Sequence, residues 1–378
     1  MRVRIVNSLE DVPSQRWNAL ELGGNPFLRH EFLVALERER CVGAATGWLA
    51  NHVLLEDDHG ALIGAVPLYR KHHSWGEFVF DWSWARAYDQ AGLSYYPKLV
   101  SMTPFTPASS PRLLVMPGPD GLARRPHLAR AVLDYARDQH VSSAHLLFVT
   151  EEDRAALGGK DVLWRKDCQF HWHNQDYRSF ADFLATFRSE KRKKALRERR
   201  RIAEAGITFE TLHGSELSGK LWDLVFSFSE ATFRARGNDH YLTAGVFKRV
   251  SDALPEAIMV KIAQLHGRPI AAAIFFRSAQ TLYGRYWGSV ADFHSLHFET
   301  CYYQGIEYCI EHGLRHFEPG TQGEHKVPRG FEPATTWSAH WIADARFRHA
   351  IGHYLEQERA AVDQYADAVR EHVPFRQP

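Results

Sequence analysis

A glycine-rich loop near the C-terminus carries the densest group of reactive side chains in the sequence. It covers residues 317–331 (FEPGTQGEHKVPRGF) and includes Glu318, Glu324, His325, Lys326 and Arg329. Amide formation on an amine needs a base for the amine proton, and positive charge or hydrogen-bond donors for the tetrahedral oxyanion. We interpret Glu318 or His325 as the base. Lys326 or Arg329 would hold the oxyanion or a phosphate. The alternative is a polar surface loop stabilised by its own ion pairs.

A predicted strand over residues 281–288 (TLYGRYWG) precedes this loop and is expected to lie beside it. Side chains alternate along a strand, so Arg285 and Trp287 should share one face while Tyr286 points to the other. Arg285 and Trp287 are therefore candidate substrate-binding residues. Tyr286 is either a general acid or a tyrosine of the core.

An aromatic segment occupies the equivalent place in the first half of the chain. Residues 77–84 alternate aromatic and other side chains, which predicts a strand. The run 80–89 (FDWSWARAYD) makes Asp81, Trp82 and Tyr88 candidates for an acceptor pocket that takes a cationic or peptide group. The alternative is a densely packed strand end.

A strongly basic helix is predicted over residues 181–205, at the start of the second half. Residues 188–201 hold nine lysines or arginines against two glutamates. One sign of charge at this density favours a surface that binds phosphates, of tRNA or of a nucleotide-linked substrate. The alternative is a solvated helix face. No aromatic residues are interleaved, which disfavours stacking on bases.

The sequence does not predict a metal site. Cys168, His171 and His173 have a spacing that suggests zinc, but on a strand the two histidines share a face and the cysteine points the other way. We also expect no tightly bound cofactor, so that an acyl donor would bind only as a co-substrate.

The N-terminus and the hydropathy pattern predict a bacterial-type cytoplasmic protein. The first residues contain no apolar signal segment, and no apolar run approaches the length of a membrane span. The four cysteines form no paired motif, which is typical of a reducing compartment. A net charge of +1 gives the whole chain no general attraction to nucleic acid or membranes.

An internal repeat predicts the architecture. The 378 residues suggest two domains. Asp58-His59-Gly60 and the strand after it are echoed by His266-Gly267-Arg268, and each half predicts two strands, a third strand, a helix and a further strand. That order is the order of the GNAT (N-acetyltransferase) fold. We therefore expect an α+β protein of two tandem GNAT-like domains, with mixed, mainly antiparallel sheets flanked by helices, at residues 1–178 and 179–378.

The usual CoA-binding turn of that fold is missing. Acetyl-CoA-dependent GNAT enzymes carry a Q/RxxGxG/A turn whose backbone amides bind the pyrophosphate at a helix N-terminus. Residues 288–299 and 88–96 occupy the two corresponding places, and neither matches. This disfavours conventional CoA binding.

Several long segments resemble the bacterial FemAB-like proteins, which are associated with peptidoglycan biosynthesis or recognition and with N-acyl transfer. They include NPFLRHEFLVALE, GALIGAVPLYRK, GEFVFDWSWARAY, YGRYWG and FEPGTQGEHKVPRGF. The basic segment resembles the helix that opens the second domain of the Fem peptidyltransferases. Those enzymes move amino acids from aminoacyl-tRNA to a peptidoglycan precursor. The resemblance implies that Arg192 and Lys193 hold substrate phosphates.

Three hypotheses follow. The leading one is an N-acyl or aminoacyl transferase that forms an amide on an amine-bearing small molecule or peptide, such as a cell-wall precursor. The second is an acyl-CoA-dependent transferase with a nonstandard donor site. The third is a protein that recognises peptidoglycan or a phosphorylated ligand without catalysis.

Overall fold

The computed structural model describes residues 1–159, 161–321 and 323–376. Contacts divide the chain into two compact units. The first consists of Met1–Asp167 and Thr335–Asp363, and the second of Cys168–Ala334 and Gln364–Pro378. The sequence predicted a division at residues 178 and 179. The structure differs because the chain from Thr335 to Asp363 belongs to the first unit.

The described residues up to His173 form nine strands and five α-helices. In chain order they are β1 (Arg2–Val6), α1 (Ser14–Asn18), α2 (His30–Arg38), β2 (Trp48–Ala50), β3 (His52–Glu56), β4 (Leu62–Val66), β5 (Tyr69–Lys71), α3 (Trp82–Gln90), β6 (Lys98–Ser101), β7 (Leu114–Val115), α4 (Gly121–Asp138), β8 (Ser143–Leu146), α5 (Glu151–Ala156) and β9 (Val162–His173).

The remaining elements begin with two helices in place of the single basic helix predicted over residues 181–205, because the chain leaves the helix at residues 186–188. They are α6 (Phe180–Ala185), α7 (Ser189–Glu204), β10 (Ile207–His213), α8 (Gly219–Ala235), α9 (Ala244–Ala253), β11 (Ile258–Leu265), β12 (Arg268–Arg277), β13 (Thr281–Ser289), α10 (Leu296–Phe298), α11 (Gln304–Glu311), β14 (His316–Glu318), β15 (Glu332–Ile342) and α12 (Ala345–Arg370). A π-helical segment, Glu299–Tyr303, joins α10 to α11.

The first unit contains two sheets. One has the strand order β1-β3-β4-β7 and is antiparallel throughout. The other orders its strands β15-β8-β6-β5-β2, with β6 and β8 parallel. Apolar residues of α4, among them Leu128 and Val132, pack against the strands in one buried cluster. Burial of this helix face removes apolar surface from water and so stabilises the unit.

The predicted strand over residues 77–84 is wrong. Helix α3 begins at Trp82 instead. Trp84 and Tyr88 stand four residues apart and are both buried, so they form one helical face. The run is rich in aromatic residues, so alternate positions are aromatic by composition alone and suggest a strand. Packing of the aromatic side chains instead favours the helix.

The second unit is built on a sheet with the order β10-β11-β12-β13-β14-β9. Its neighbours pair antiparallel except β13 and β14, which are parallel. The two strands and third strand predicted for the second half of the chain are present as β11, β12 and β13. Aromatic and aliphatic side chains of α6, α11 and the strands, such as Phe183, Ile306 and Phe317, form its core.

Candidate active site

A cavity opens in the second unit where two parallel strands part. Strands β13 and β14 are paired only over Thr281–Tyr283 and His316–Glu318. Beyond that point β13 continues to Ser289, whereas β14 ends. The residues that follow on both sides line a cavity of about 290 Å³. It is lined by Thr232, Phe233, Arg236, Ala273, Ile274, Phe275, Gly284, Arg285, Tyr286, Trp287, His297, Cys301, Tyr302, Pro319, Gly320, Thr321, His325 and Lys326.

A β-bulge at Arg285 shapes one wall of this cavity. Ile274 of β12 pairs with Tyr286, and its neighbour Phe275 pairs with Gly284, so Arg285 is the additional residue of the bulge. A bulge bends the strand and redirects the side chains near it. Arg285, Tyr286 and Trp287 consequently all line the cavity, although strict alternation predicted that Tyr286 would face away from the other two.

Tyr286 also has the packed surroundings of a core residue. Its ring centroid lies 4.8 Å from that of His240 and 5.5 Å from that of Phe247. The ring is thus packed like that of a core tyrosine, and the residue still borders the cavity.

Glu318 lies at the point where the strands part. It is the last residue of β14, is paired with Tyr283, and directly precedes the lining residue Pro319. Its Oε2 is buried and has no hydrogen-bond partner among the described residues. Burial raises the pKa of Glu318 to about 7, and the Arg285 guanidinium opposes that rise. The carboxyl group can thus take up and release a proton near neutral pH.

Lys326 lines the cavity from the loop that follows β14. Its ammonium donates to the carbonyl oxygens of Gly320 at 2.7 Å and Thr321 at 3.0 Å, and the residue is 1% exposed. Burial, together with the positive charge of Arg285, lowers the pKa of Lys326 to about 7. Two groups of opposite type are therefore both poised to exchange a proton near neutrality, which is typical of catalytic sites.

His325 contacts the cavity beside Lys326. Its Nε2 lies 2.8 Å from the hydroxyl oxygen of Tyr302. Burial and the cations Lys326 and Arg329 lower the pKa of His325. The imidazole is therefore neutral at pH 7, and its hydrogen-bonded partner Tyr302 is also a lining residue.

Arg329, the remaining predicted cation of the loop, lies behind the cavity wall. Its Nη2 donates to both carboxylate oxygens of Glu198, at 2.8 and 2.9 Å. The guanidinium carbon stands 3.4 Å from the centroid of the Phe298 ring. The Tyr303 hydroxyl donates to the same carboxylate at 2.6 Å. These contacts fasten the loop to helix α7, which indicates a structural role for Arg329.

Sequence reasoning missed three polar or reactive residues of the cavity wall. Arg236 follows the last residue of α8, His297 lies in α10, and Cys301 lies in the π-helical segment. A cation at a helix C-terminus is too common to mark a site by itself. Arg236 and Cys301 are 65 positions apart along the chain, and folding brings the three residues together at the cavity.

The candidate pocket residues of the first unit are packed into its interior. Asp81 is 2% exposed and accepts hydrogen bonds from Lys98 and Tyr95. Tyr88 is 3% exposed, and its ring centroid lies 3.9 Å from that of Phe347. Trp82 is half-buried. This arrangement matches the packed alternative for Asp81 and Tyr88, since buried side chains do not line an open acceptor pocket.

The basic helix α7 has two different sides. Facing inward, Glu198 binds Arg329, and Arg199 pairs with Glu299 and Glu307. Facing solvent are Lys193, Lys194, Arg197, Arg200 and Arg201. Their spacing places them on one side of the helix, and none has an ion-pair partner among the described residues. Arg192 is half-buried at the edge of this basic face.

The described residues contain no cluster of three or more histidine, cysteine, aspartate or glutamate side chains suited to a metal ion. His171 contacts Gln169 and His173 contacts His316, each through a ring nitrogen at 3.0 Å. Within the same described ranges, every helix is too short or too polar to span a bilayer.

Comparison with known protein families identifies the family of this chain. The family model FemAB-like, described as peptidoglycan biosynthesis/recognition, matches residues 8–377. The chain belongs to this family. The resemblance seen in the sequence motifs is thereby confirmed. No curated protein matches the sequence.

Solved structures of the same fold include FemX, with 12% identity, 93% of this chain and 100% of that chain covered, and a TM-score of 0.51. A second is the C-terminal domain of a putative lysylphosphatidylglycerol synthetase from Agrobacterium fabrum, with 10% identity, 86% and 90% coverage, and a TM-score of 0.53. L-PGS from Bacillus licheniformis has 10% identity, 92% and 97% coverage, and a TM-score of 0.51.

These likenesses confirm the predicted fold class, an α+β protein of two tandem GNAT-like domains. The family confirms the predicted enzyme class, an acyl- or aminoacyltransferase, with a relation to peptidoglycan biosynthesis or recognition.

Proposed function

We propose that this FemAB-like protein transfers an aminoacyl group from aminoacyl-tRNA to the amine of a cell-wall peptide precursor, and that the cavity beside β13 and β14 is the reaction site. The observation that carries the proposal is the pair Glu318 and Lys326. Both have a pKa of about 7, and they flank the place where the strands part.

The reaction forms a C–N bond and breaks the C–O bond of the donor ester. The acceptor nitrogen attacks the ester carbonyl carbon as a neutral amine and loses one proton afterwards. Glu318 accepts that proton, because a carboxylate with a pKa near the working pH is an efficient base. His325, which is neutral at pH 7, is the alternative base.

The negative charge that develops on the carbonyl oxygen needs a fixed cation. Lys326 is held by two backbone carbonyl oxygens, so its ammonium is oriented before the substrate arrives. Such preorganised charge is worth more in a water-poor site than in bulk solvent. The departing ribose hydroxyl receives a proton from Tyr286, the candidate general acid, while Arg285 and Trp287 position the reacting groups.

The basic face of α7 supports a tRNA donor. Five exposed cations without acidic partners form a surface that phosphates can neutralise, with Arg192 and Lys193 nearest to the positions implied by the family resemblance. The charge-reversing substitutions Arg197→Glu and Arg200→Glu should together raise the KM for aminoacyl-tRNA by at least ~10-fold and weaken the dependence of this KM on salt. A matched control is the pair Lys220→Glu and Arg268→Glu, which are also exposed.

The experiment that tests the proposal offers the purified protein a set of donors and a nucleotide-linked peptide precursor, and measures the precursor mass. Addition of one aminoacyl residue with aminoacyl-tRNA alone supports the proposal. Addition of an acyl group only from acyl-CoA would replace it with the CoA-dependent alternative. Tight precursor binding without a mass change from any donor would indicate a recognition protein.

A further inference from the structure

The charge of the cavity restricts the acceptor. Three cations, Arg236, Arg285 and Lys326, are among its lining residues. Within the described part of the chain, that lining includes no aspartate or glutamate. Its histidines, His297 and His325, have lowered pKa values and are neutral at pH 7. Glu318, which directly precedes the lining residue Pro319, adds one carboxylate beside these three cations, so the charge that meets the substrate is still net positive.

A positive wall opposes a simple alkylammonium group. Amines arrive from water in their protonated form, and a cation that approaches other cations in a partly desolvated site is repelled. A carboxylate on the same carbon as the amine changes this balance, because the substrate then brings one negative charge to the same place. The carboxylate can pair with a guanidinium in a bidentate arrangement.

Arg236 is the cation that remains for such a carboxylate. Arg285 acts on Glu318, and Lys326 is held by the carbonyls of Gly320 and Thr321. The exposed Arg236 side chain has no ion-pair partner among the described residues. Its charge reaches the cavity: burial lowers the pKa of His297 to about 4, and Arg236 is among the cations that add to this.

We infer that the acceptor amine belongs to an α-amino carboxylate, a carbon that bears both the amine and a carboxylate, and that Arg236 is the specificity residue that binds this carboxylate. The inference rests on the proposed function and narrows its acceptor to one chemical class. A peptide side chain that ends in a bare aminomethylene group falls outside that class.

The test uses two nucleotide-linked precursors that differ only at the amine-bearing residue, which is 2,6-diaminopimelate in one and lysine in the other. The amine-bearing carbon carries a carboxylate only in the first. Calorimetry measures the Kd of each precursor without a donor, and a transfer assay then measures kcat/KM. The variants are Arg236→Met and the control Arg234→Met, which changes an exposed arginine in the last turn of α8 that pairs with Glu230.

We expect the wild type and Arg234→Met to bind the diaminopimelate precursor at least ~10-fold more tightly than the lysine precursor, and Arg236→Met to lose this ratio. Equal Kd values in the wild type, or a ratio that survives in Arg236→Met, would overturn the inference. Equal transfer to both precursors would overturn it while the proposed function stands. If the wild type prefers the diaminopimelate precursor and Arg236→Met does not, but no donor supports transfer, Arg236 remains the specificity residue and the proposed function is refuted.

Discussion

The two groups with pKa values near 7 predict the shape of the pH profile. Glu318 must be deprotonated to act as a base, which requires a pH above its pKa of about 7. Lys326 must be protonated to hold the oxyanion, which requires a pH below its pKa of about 7. At pH 7 about half of each group is in the required state, so about a quarter of the molecules have both. We therefore expect a narrow bell centred near pH 7.

Replacing Lys326 with arginine isolates one side of this bell. A guanidinium stays protonated throughout the range, so the decline at alkaline pH should disappear and kcat/KM should level off above pH 7. The absolute rate should fall, because a larger planar cation does not reproduce the contacts with Gly320 and Thr321. The informative quantity is the shape of the curve.

The assay measures kcat/KM from pH 5.5 to 9 at constant ionic strength, with Lys220→Arg as a control at an exposed site. The control should retain the full bell. An alkaline decline that remains in Lys326→Arg would show that another group titrates there, and the assignment of Lys326 would then be wrong.

Further variants test the buried packing of the two units. Glu198→Leu leaves the buried Arg329 guanidinium without its carboxylate and should lower the free energy of unfolding by about 3–5 kcal/mol. Adding Arg329→Met should restore most of that free energy. Denaturant unfolding of the single and double variants measures both effects. Lys98→Met removes the nearest cation of two buried carboxylates of the first unit, Glu77 and Asp81, and leaves Lys71 at 3.6 Å from Glu77, so the same method should give a loss of similar size. Gly288→Ala places a methyl group against the Phe228 carbonyl, so α8 must move, and differential scanning calorimetry should show a lower Tm.

The sequence predicted the regular parts of the second unit well. The antiparallel strands β11–β13 are long runs separated by clear turns, so local pattern and tertiary packing agree there. The loop after β14 was identified because reactive side chains and glycines are concentrated in a short stretch. The structure places His325 and Lys326 of that loop on the cavity wall.

The features that give the cavity its shape could not be predicted in this way. The bulge at Arg285 depends on the register between β12 and β13, which alternation along one strand does not contain. Arg236 reaches the cavity only because α8 packs along β13. The engagement of Arg329 by Glu198 depends on a contact between positions 131 residues apart. Each of these features depends on contacts between residues far apart in the chain, whereas patterns in a single sequence report only local structure.

The measurement that tests the central claim most directly is single-turnover transfer of an aminoacyl group to the precursor by Glu318→Gln and by Glu324→Gln. Both changes remove a carboxylate, but Glu324 is exposed and accepts a hydrogen bond from Tyr365 at 2.9 Å. We predict that Glu318→Gln slows transfer by at least ~100-fold, the usual contribution of a general base, with its folding unchanged by circular dichroism. Glu324→Gln should stay within a few-fold of the wild type. Full activity of a folded Glu318→Gln would contradict the assignment of the active site.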